Sequence, residues 1–295
     1  MSSAAVPVRR LCVIGVGLIG GSLARALRLA GQAEEVVGCG RGLANLERAR
    51  ELGVIDRFET DPGRAVVGAD MVLLAVPLSA MDPVMTAIAP TLEPDCVVTD
   101  GGSAKASVVE AARATLGPAL PRFVPGHPIA GTENSGVEAS FPELYRGRKV
   151  ILTPLEETAV EAVATVKNMW EACGARVSCM SVAHHDEVLA ATSHMPHVLA
   201  FALVDALSRW GDRDEIFAYA AGGFRDFTRI ASSDPLMWRD ICLANHEAVV
   251  AALERYTGDL TRMTEAVRRQ DGEALERAFR NARDARERFL AMLES

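Results

Sequence analysis

The sequence predicts an α/β protein: a mainly parallel, helix-covered sheet over residues 1–182, followed by an all-helical region over residues 183–295. Three observations carry this. Short apolar runs alternate with amphipathic stretches through the first part of the chain. A glycine-rich turn joins the first apolar run to the first amphipathic stretch. From about Ala183 the short runs stop, and only long stretches of helical period remain.

The strands are expected at Leu11–Gly15, Glu35–Gly38, Met71–Val76, Cys96–Thr99, Phe123–Pro125 and Lys149–Leu152, each a short apolar run. Between them Ser22–Ala30, Leu43–Leu52, Met81–Leu92 and Ser107–Leu116 have one apolar face and read as helices. A helix over Glu157–Cys173 and a strand over Ala175–Ser181 continue the alternation. Helices then cover His184–Trp210, Pro235–Thr257, Leu260–Arg269 and Gly272–Leu293. Pro196 lacks a backbone N–H and predicts a kink or junction in the first of these. So apolar a helical region is expected to bury part of its surface in a homodimer.

Composition narrows the possible partners. A chain of 295 residues, 49% hydrophobic and 24% charged, can bury a sizeable core. Its net charge of −8 opposes broad, charge-driven binding to nucleic acid or membrane. The six cysteines form no CxxC pair, and no His/Asp/Glu spacing suggests a metal site, so reduced thiols in the cytoplasm are the expectation. Arg9 and Arg10 before the apolar run imitate an export signal, but Gly15, Gly17, Gly20 and Gly21 make a poor membrane helix and no small-residue cleavage site follows.

Gly15-Val-Gly17-Leu18-Ile19-Gly20 fits G-x-G-x-x-G between a strand and a helix, the Rossmann-type setting for a dinucleotide. The first glycine permits the turn, the second admits a pyrophosphate, and the third lets helix and strand pack closely. The helix start then offers unpaired N–H groups to the anion. At the end of the second strand the chain reads Gly38-Cys39-Gly40-Arg41-Gly42. An acidic residue there would favour NAD by accepting the ribose hydroxyls; Gly40 removes that repulsion, and Arg41 can pair with a 2′-phosphate. NADP is therefore expected over NAD, with NAD as the alternative.

Five of the six histidines lie between His127 and His197. His127 follows a predicted strand, so it should stand at a carboxyl end of the sheet, where open α/β sheets bind ligands. A neutral imidazole there can take a proton near neutral pH. Taken singly, each of these histidines is more often structural; beside a cofactor fold the balance favours His127, and less so His184 and His185.

The stretches GVGLIGGS (Gly15–Ser22), ELGVID (Glu51–Asp56), AVP (Ala75–Pro77), TDGGSAK (Thr99–Lys105), GHPIAGTENSG (Gly126–Gly136), SHMPH (Ser193–His197) and FTRIASSDPLMWRD (Phe227–Asp240) together resemble the prephenate/arogenate dehydrogenase family of tyrosine biosynthesis. The resemblance spans nearly the whole chain and implies oxidative decarboxylation of a cyclohexadienol. It implies that His127 is the base on the ring hydroxyl, with Ser103 beside that hydroxyl and the nicotinamide. It gives His194 or His197, with Arg229, the substrate carboxylates, and makes Glu133, Asp226 and Trp238 part of the pocket. Val76 and Pro77 join the cofactor side. A rival enzyme reading is a 3-hydroxyacid or imine-type dehydrogenase, which would rely on a lysine or an acid in the helical region; a cofactor-binding sensor need not keep His127, Ser103 and Arg229 together.

Overall fold

Along β1 (Val8–Ile14) the side chains divide between two cores: Leu11 and Val13 pack into one apolar cluster, Cys12 and Ile14 into another. That alternation is the pleat of a strand buried on both faces. The computed structural model describes residues 8–132, 134–210 and 213–294. The chain continues through α1 (Leu18–Leu29), β2 (Ala33–Cys39), α2 (Leu43–Glu51), β3 (Arg57–Glu59), α3 (Pro62–Ala65), β4 (Met71–Leu74), α4 (Met81–Ile88), β5 (Val97–Asp100), α5 (Ala106–Thr115) and β6 (Phe123–Val124). These strands form one parallel sheet in the order β3-β2-β1-β4-β5-β6. The order reverses between β1 and β4, and that switch point opens a crevice at the carboxyl ends of the strands.

β7 (Gly126–Pro128), β8 (Lys149–Leu152), α6 (Val160–Ala172) and β9 (Arg176–Cys179) follow. Here the alternation departs from the simple expectation. β8 and β9 do not extend the first sheet; with β7 they make a second one, β7 antiparallel to β8. The strands β3 and β7 were not expected from sequence. Each has only three residues, and neither Arg-Phe-Glu nor Gly-His-Pro is an apolar run.

The remaining elements are helical: α7 (Val182–Leu189), α8 (Met195–Ser208), α9 (Arg213–Ala218), α10 (Gly222–Thr228), α11 (Pro235–Ala244), α12 (His246–Arg268) and α13 (Gly272–Glu294). Between α7 and α8 the helix widens into a π turn over Ala190–His194, directly before Pro196. The proline cannot donate to the turn before it, so the junction expected there is accommodated by a wider ring. The expected helix Pro235–Thr257 is broken instead at Asn245, and α12 runs on through Gly258, merging what sequence divided. A single glycine costs a helix only about 1 kcal/mol, too little to divide one of 23 residues. The chain forms two compact units, Met1–His246 and Glu247–Ser295. All functional residues discussed below lie in the first.

Candidate active site

The glycine turn has the geometry of a phosphate cradle. Gly15 sits at φ +98°, and a Cβ there would lie 2.3 Å from the Ala75 carbonyl oxygen, so the β1 and β4 loops touch where only glycine fits. A Cβ on Gly20 would meet the Gly15 carbonyl oxygen at 2.3 Å and Val13 at 2.6 Å, which shows how closely α1 packs on β1. Around Gly17 nothing lies within 4 Å of such a Cβ. Gly17 caps α1 without a side-chain hydrogen bond, leaving the amides at Leu18, Ile19 and Gly20 aimed at open space. A dinucleotide's pyrophosphate fits this cradle. Val76 and Pro77 follow β4 across the switch point, and Ser79 beyond them donates to the Asp240 carboxylate at 2.6 Å, tying this loop to α11. Gly40 and Arg41 occupy the tip of β2, with the Arg41 side chain exposed.

On the other side of the crevice a buried ion pair organises the chemistry-bearing loops. Asp100, the last residue of β5, and Lys105, just before α5, are both fully buried and paired. Asp100 also accepts the Gly102 N–H at 2.7 Å and the Gly126 N–H at 3.0 Å, while Lys105 Nζ donates to the Gly126 carbonyl at 2.6 Å. The loop carrying Ser103 and the strand carrying His127 are thereby stapled together. Without this pairing, burying either charge would cost several kcal/mol.

His127 is buried, and its Nδ1 lies 2.9 Å from His185 Nε2. His185 Nδ1 in turn lies 2.7 Å from Asp186 Oδ1. The Asp186 carboxylate accepts the Lys105 and Ala106 backbone N–H groups, both at 2.8 Å, at the start of α5. Burial, followed by the Lys105 charge and the neighbouring His185 and His194, holds the His127 imidazole well below the ordinary histidine range. Burial alone would raise Asp186; the hydrogen bonds from His185, Ala106 and Lys105 outweigh it and hold the carboxyl low.

The second group of histidines comes from the π turn and the start of α8. His194 is fully buried; its Nδ1 meets the Asn245 amide at 3.1 Å, and that amide also donates to the Asp186 carbonyl at 2.8 Å. Burial pushes His194 down to about 4, against the opposing pull of Asp186. The Ser103 backbone also favours its charged form, yet lies outside hydrogen-bonding geometry, so Nε2 remains a buried atom without a partner among the described residues. His197 bonds the Ser193 carbonyl at 2.8 Å and stacks on Trp238, with ring centres 3.5 Å apart. Burial lowers its pKa, and the nearby Arg229 charge adds to that effect. A cavity of about 420 Å³ lies beside this stack, lined by His197, Phe201, Trp238 and Cys242; neither His127 nor Ser103 lines it.

The fold thus brings Ser103, His127, His194, His197 and Trp238 into one neighbourhood, with Arg229 at its edge. Arg229 is exposed, and so is Asp226, whose partner is Arg225 at 3.8 Å. Glu133 lies outside the described residues.

Two family models match, meeting at Met180. Residues 23–179 match the nucleotide-binding domain of prephenate dehydrogenase, and residues 181–281 match its dimerization domain. The chain belongs to the prephenate dehydrogenase family. Among its relatives, the cyclohexadienyl dehydrogenase of Zymomonas mobilis is 42% identical over 94% of this chain and 95% of its own length. The prephenate dehydrogenase of Bacillus subtilis is 35% identical, over 94% of this chain and 75% of its own. A crystal structure of Aquifex aeolicus prephenate dehydrogenase in complex with hydroxyphenyl propionate and NAD+ superposes with a TM-score of 0.91, at 38% identity over 97% of this chain and 99% of that one. Arogenate dehydrogenase of Synechocystis superposes at 0.80, with 28% identity over 95% and 99%. As a member of this family the chain is a nicotinamide-nucleotide-dependent oxidoreductase.

Within this prephenate dehydrogenase family member, sequence reasoning passed over Asp100, Lys105, Asp186 and Asn245, and set His185 below His127. All are buried polar residues, each with at least one partner far away in the chain: 26 positions for Asp100 and Gly126, 58 for His127 and His185, 59 for Asp186 and Asn245, and 81 for Lys105 and Asp186. A signal did exist: Asp and Lys in a loop with almost no other charge, and the pair His185-Asp186 in an apolar helix, since such groups are rarely buried unless paired.

Proposed function

We propose that the chain oxidatively decarboxylates prephenate, arogenate or both, passing hydride to NAD(P) and yielding 4-hydroxyphenylpyruvate or tyrosine. The observation that carries this reading is a buried imidazole, His127, its pKa held low, on a strand that Asp100 and Lys105 tie to the Ser103 loop beside a sheet whose switch point forms a phosphate cradle. A nicotinamide nucleotide held by its pyrophosphate in that cradle would supply the acceptor for the hydride of the carbinol carbon. His127 takes the hydroxyl proton at Nε2 as the hydride leaves, which stabilises the developing carbonyl. The ring carboxylate departs as CO2, its bonding electrons completing the aromatic ring. Ser103 is assigned to the same hydroxyl. His194, with an unpartnered buried Nε2, and His197 and Arg229 are assigned to the carboxylates; Glu133, Asp226 and Trp238 to the walls. Gly15, Gly17, Leu18, Ile19, Gly20, Val76 and Pro77 are assigned to the cofactor. The division at residues 182/183 is proposed as the functional boundary between cofactor and substrate regions.

Turnover of prephenate and of arogenate, each with NADP and with NAD, tests the reading; turnover of a 3-hydroxyacid alone would replace it with the rival dehydrogenase reading. For the cofactor, Gly40 and the exposed Arg41 support NADP, and kcat/KM is expected to be higher with NADP. A clear preference for NAD would remove that assignment. NAD has its own support: the Aquifex aeolicus relative is described with NAD+, and the Asp61 and Glu59 carboxylates act on Cys39 at the same strand end.

Arg229→Ala is expected to raise substrate KM about 10- to 100-fold with little change in kcat, the worth of one charge-assisted pair. Since Arg229 is exposed, the effect should shrink in high salt. An unchanged KM would put the carboxylate anchor elsewhere.

The proposal includes a homodimer in the cytoplasm. Only Ala200 is buried in the apolar helix α8, and the matching family model is a dimerization domain. The run Val182–Ser208 is long and apolar enough by composition to cross a membrane, but its His185, Asp186 and His194 are turned into the protein and bonded there. Its half-buried apolar residues, Val198, Phe201 and Leu203 among them, are the surface that a second copy would cover.

A further inference from the structure

The chain of groups behind His127 has a direction, and direction decides which ring nitrogen can act. Asp186 accepts two backbone N–H groups and can only accept from His185 as well, so His185 Nδ1 carries a proton. A neutral His185 ring has only that one proton, and it is committed to Asp186. Its Nε2 is then a lone pair, 2.9 Å from His127 Nδ1, which must supply the hydrogen. That leaves His127 Nε2 bare.

We propose that Asp186 and His185 are positioning residues that lock His127 in the Nδ1–H tautomer, so that Nε2 is always ready to take the substrate hydroxyl proton. The inference rests on the reading of His127 as the base. Neither residue touches substrate; both act through the ring of His127. When His127 becomes an imidazolium, its Nδ1–H still points at His185, and the Asp186 carboxylate behind it offsets the new charge. Asn245 holds the backbone of this relay by donating to the Asp186 carbonyl, and its same amide meets His194.

Asp186→Asn reverses the chain. Asparagine can donate to His185 Nδ1, whose Nε2–H then donates to His127 Nδ1 and leaves the proton of His127 on Nε2. The expected result is a kcat lower by about 10²-fold at every pH, with KM and cofactor affinity little changed. The decisive readout is the 15N spectrum of histidine-labelled protein. Wild type should give a protonated Nδ1 and a bare Nε2 at His127, and Asp186→Asn the opposite.

If loss of the Lys105 N–H bond prevents Asp186→Asn from folding, His185 supplies the second test. His185→Gln places an acceptor oxygen near the position of Nε2 and should retain most of the turnover and the Nδ1–H tautomer. His185→Leu removes the acceptor and should lose both. A bare Nδ1 at His127 in wild type, an imidazolium at His185, or equal turnover in the Gln and Leu variants would overturn the relay. Failure of the base assignment shows separately, as turnover retained in His127→Asn while the wild-type protein still gives the Nδ1–H tautomer at His127.

Discussion

Replacing His127 by asparagine is expected to lower kcat by about 10²- to 10⁴-fold, the usual worth of a general base, while leaving substrate and cofactor affinity nearly intact. The reason is specific to the site. Asparagine can keep a hydrogen bond to His185 but cannot take a proton from the substrate hydroxyl. The pH profile provides a second check on the same group. Because burial and the Lys105 charge hold His127 well below the ordinary histidine range, its neutral form dominates from weakly acid to alkaline pH. Activity should therefore stay flat as pH falls through the ordinary histidine range and drop only where this lowered pKa is crossed. Pre-steady-state hydride transfer followed by nicotinamide absorbance measures both effects. Wild-type turnover in the asparagine variant, or an acid limb at or above 6.5, would remove His127 from the role of base.

The largest expected effect on stability comes from Lys105→Met. Methionine fills much of the space of the lysine stem but leaves Asp100 as a fully buried carboxylate without its cation. Removing one partner of such a pair typically costs about 3–5 kcal/mol. Here the loss also frees the Gly126 carbonyl that Lys105 Nζ satisfies, so the upper part of that range is expected. Urea unfolding should read this as a lower midpoint with little change in slope. Adding Asp100→Asn to the same chain should recover part of the loss, because a neutral amide no longer needs a cation. A single variant within about 1 kcal/mol of wild type would mean that the pair does not staple the Ser103 loop to the His127 strand.

Much of the frame was legible in the residues. The alternating runs marked seven of the strands, and the turn between Gly15 and Gly20 marked the cofactor cradle, because both are local effects: pleat, helical period and a backbone position that no side chain can enter. Pro196 announced the junction between α7 and α8 for the same reason, since its missing N–H acts within a single turn. Where the signal was short the reading failed. β3 and β7 have three residues each, and the break at Asn245 carries no proline or glycine. Asn245 leaves the helical conformation while its amide reaches inward to Asp186 and His194.

By itself, then, the order of residues determined the class of fold, the phosphate cradle and the identity of the candidate base. Only the tertiary structure decided what stands behind that base. His127 and His185 are 58 positions apart, and Asp186 and Lys105 are 81 apart; no local pattern relates them. They meet because α7 packs at the start of α5, where the Lys105 and Ala106 backbone N–H groups have no acceptor within the helix and take the Asp186 carboxylate. Local preference shapes an element, but the partner of a buried charge is chosen by whichever element the fold brings against it.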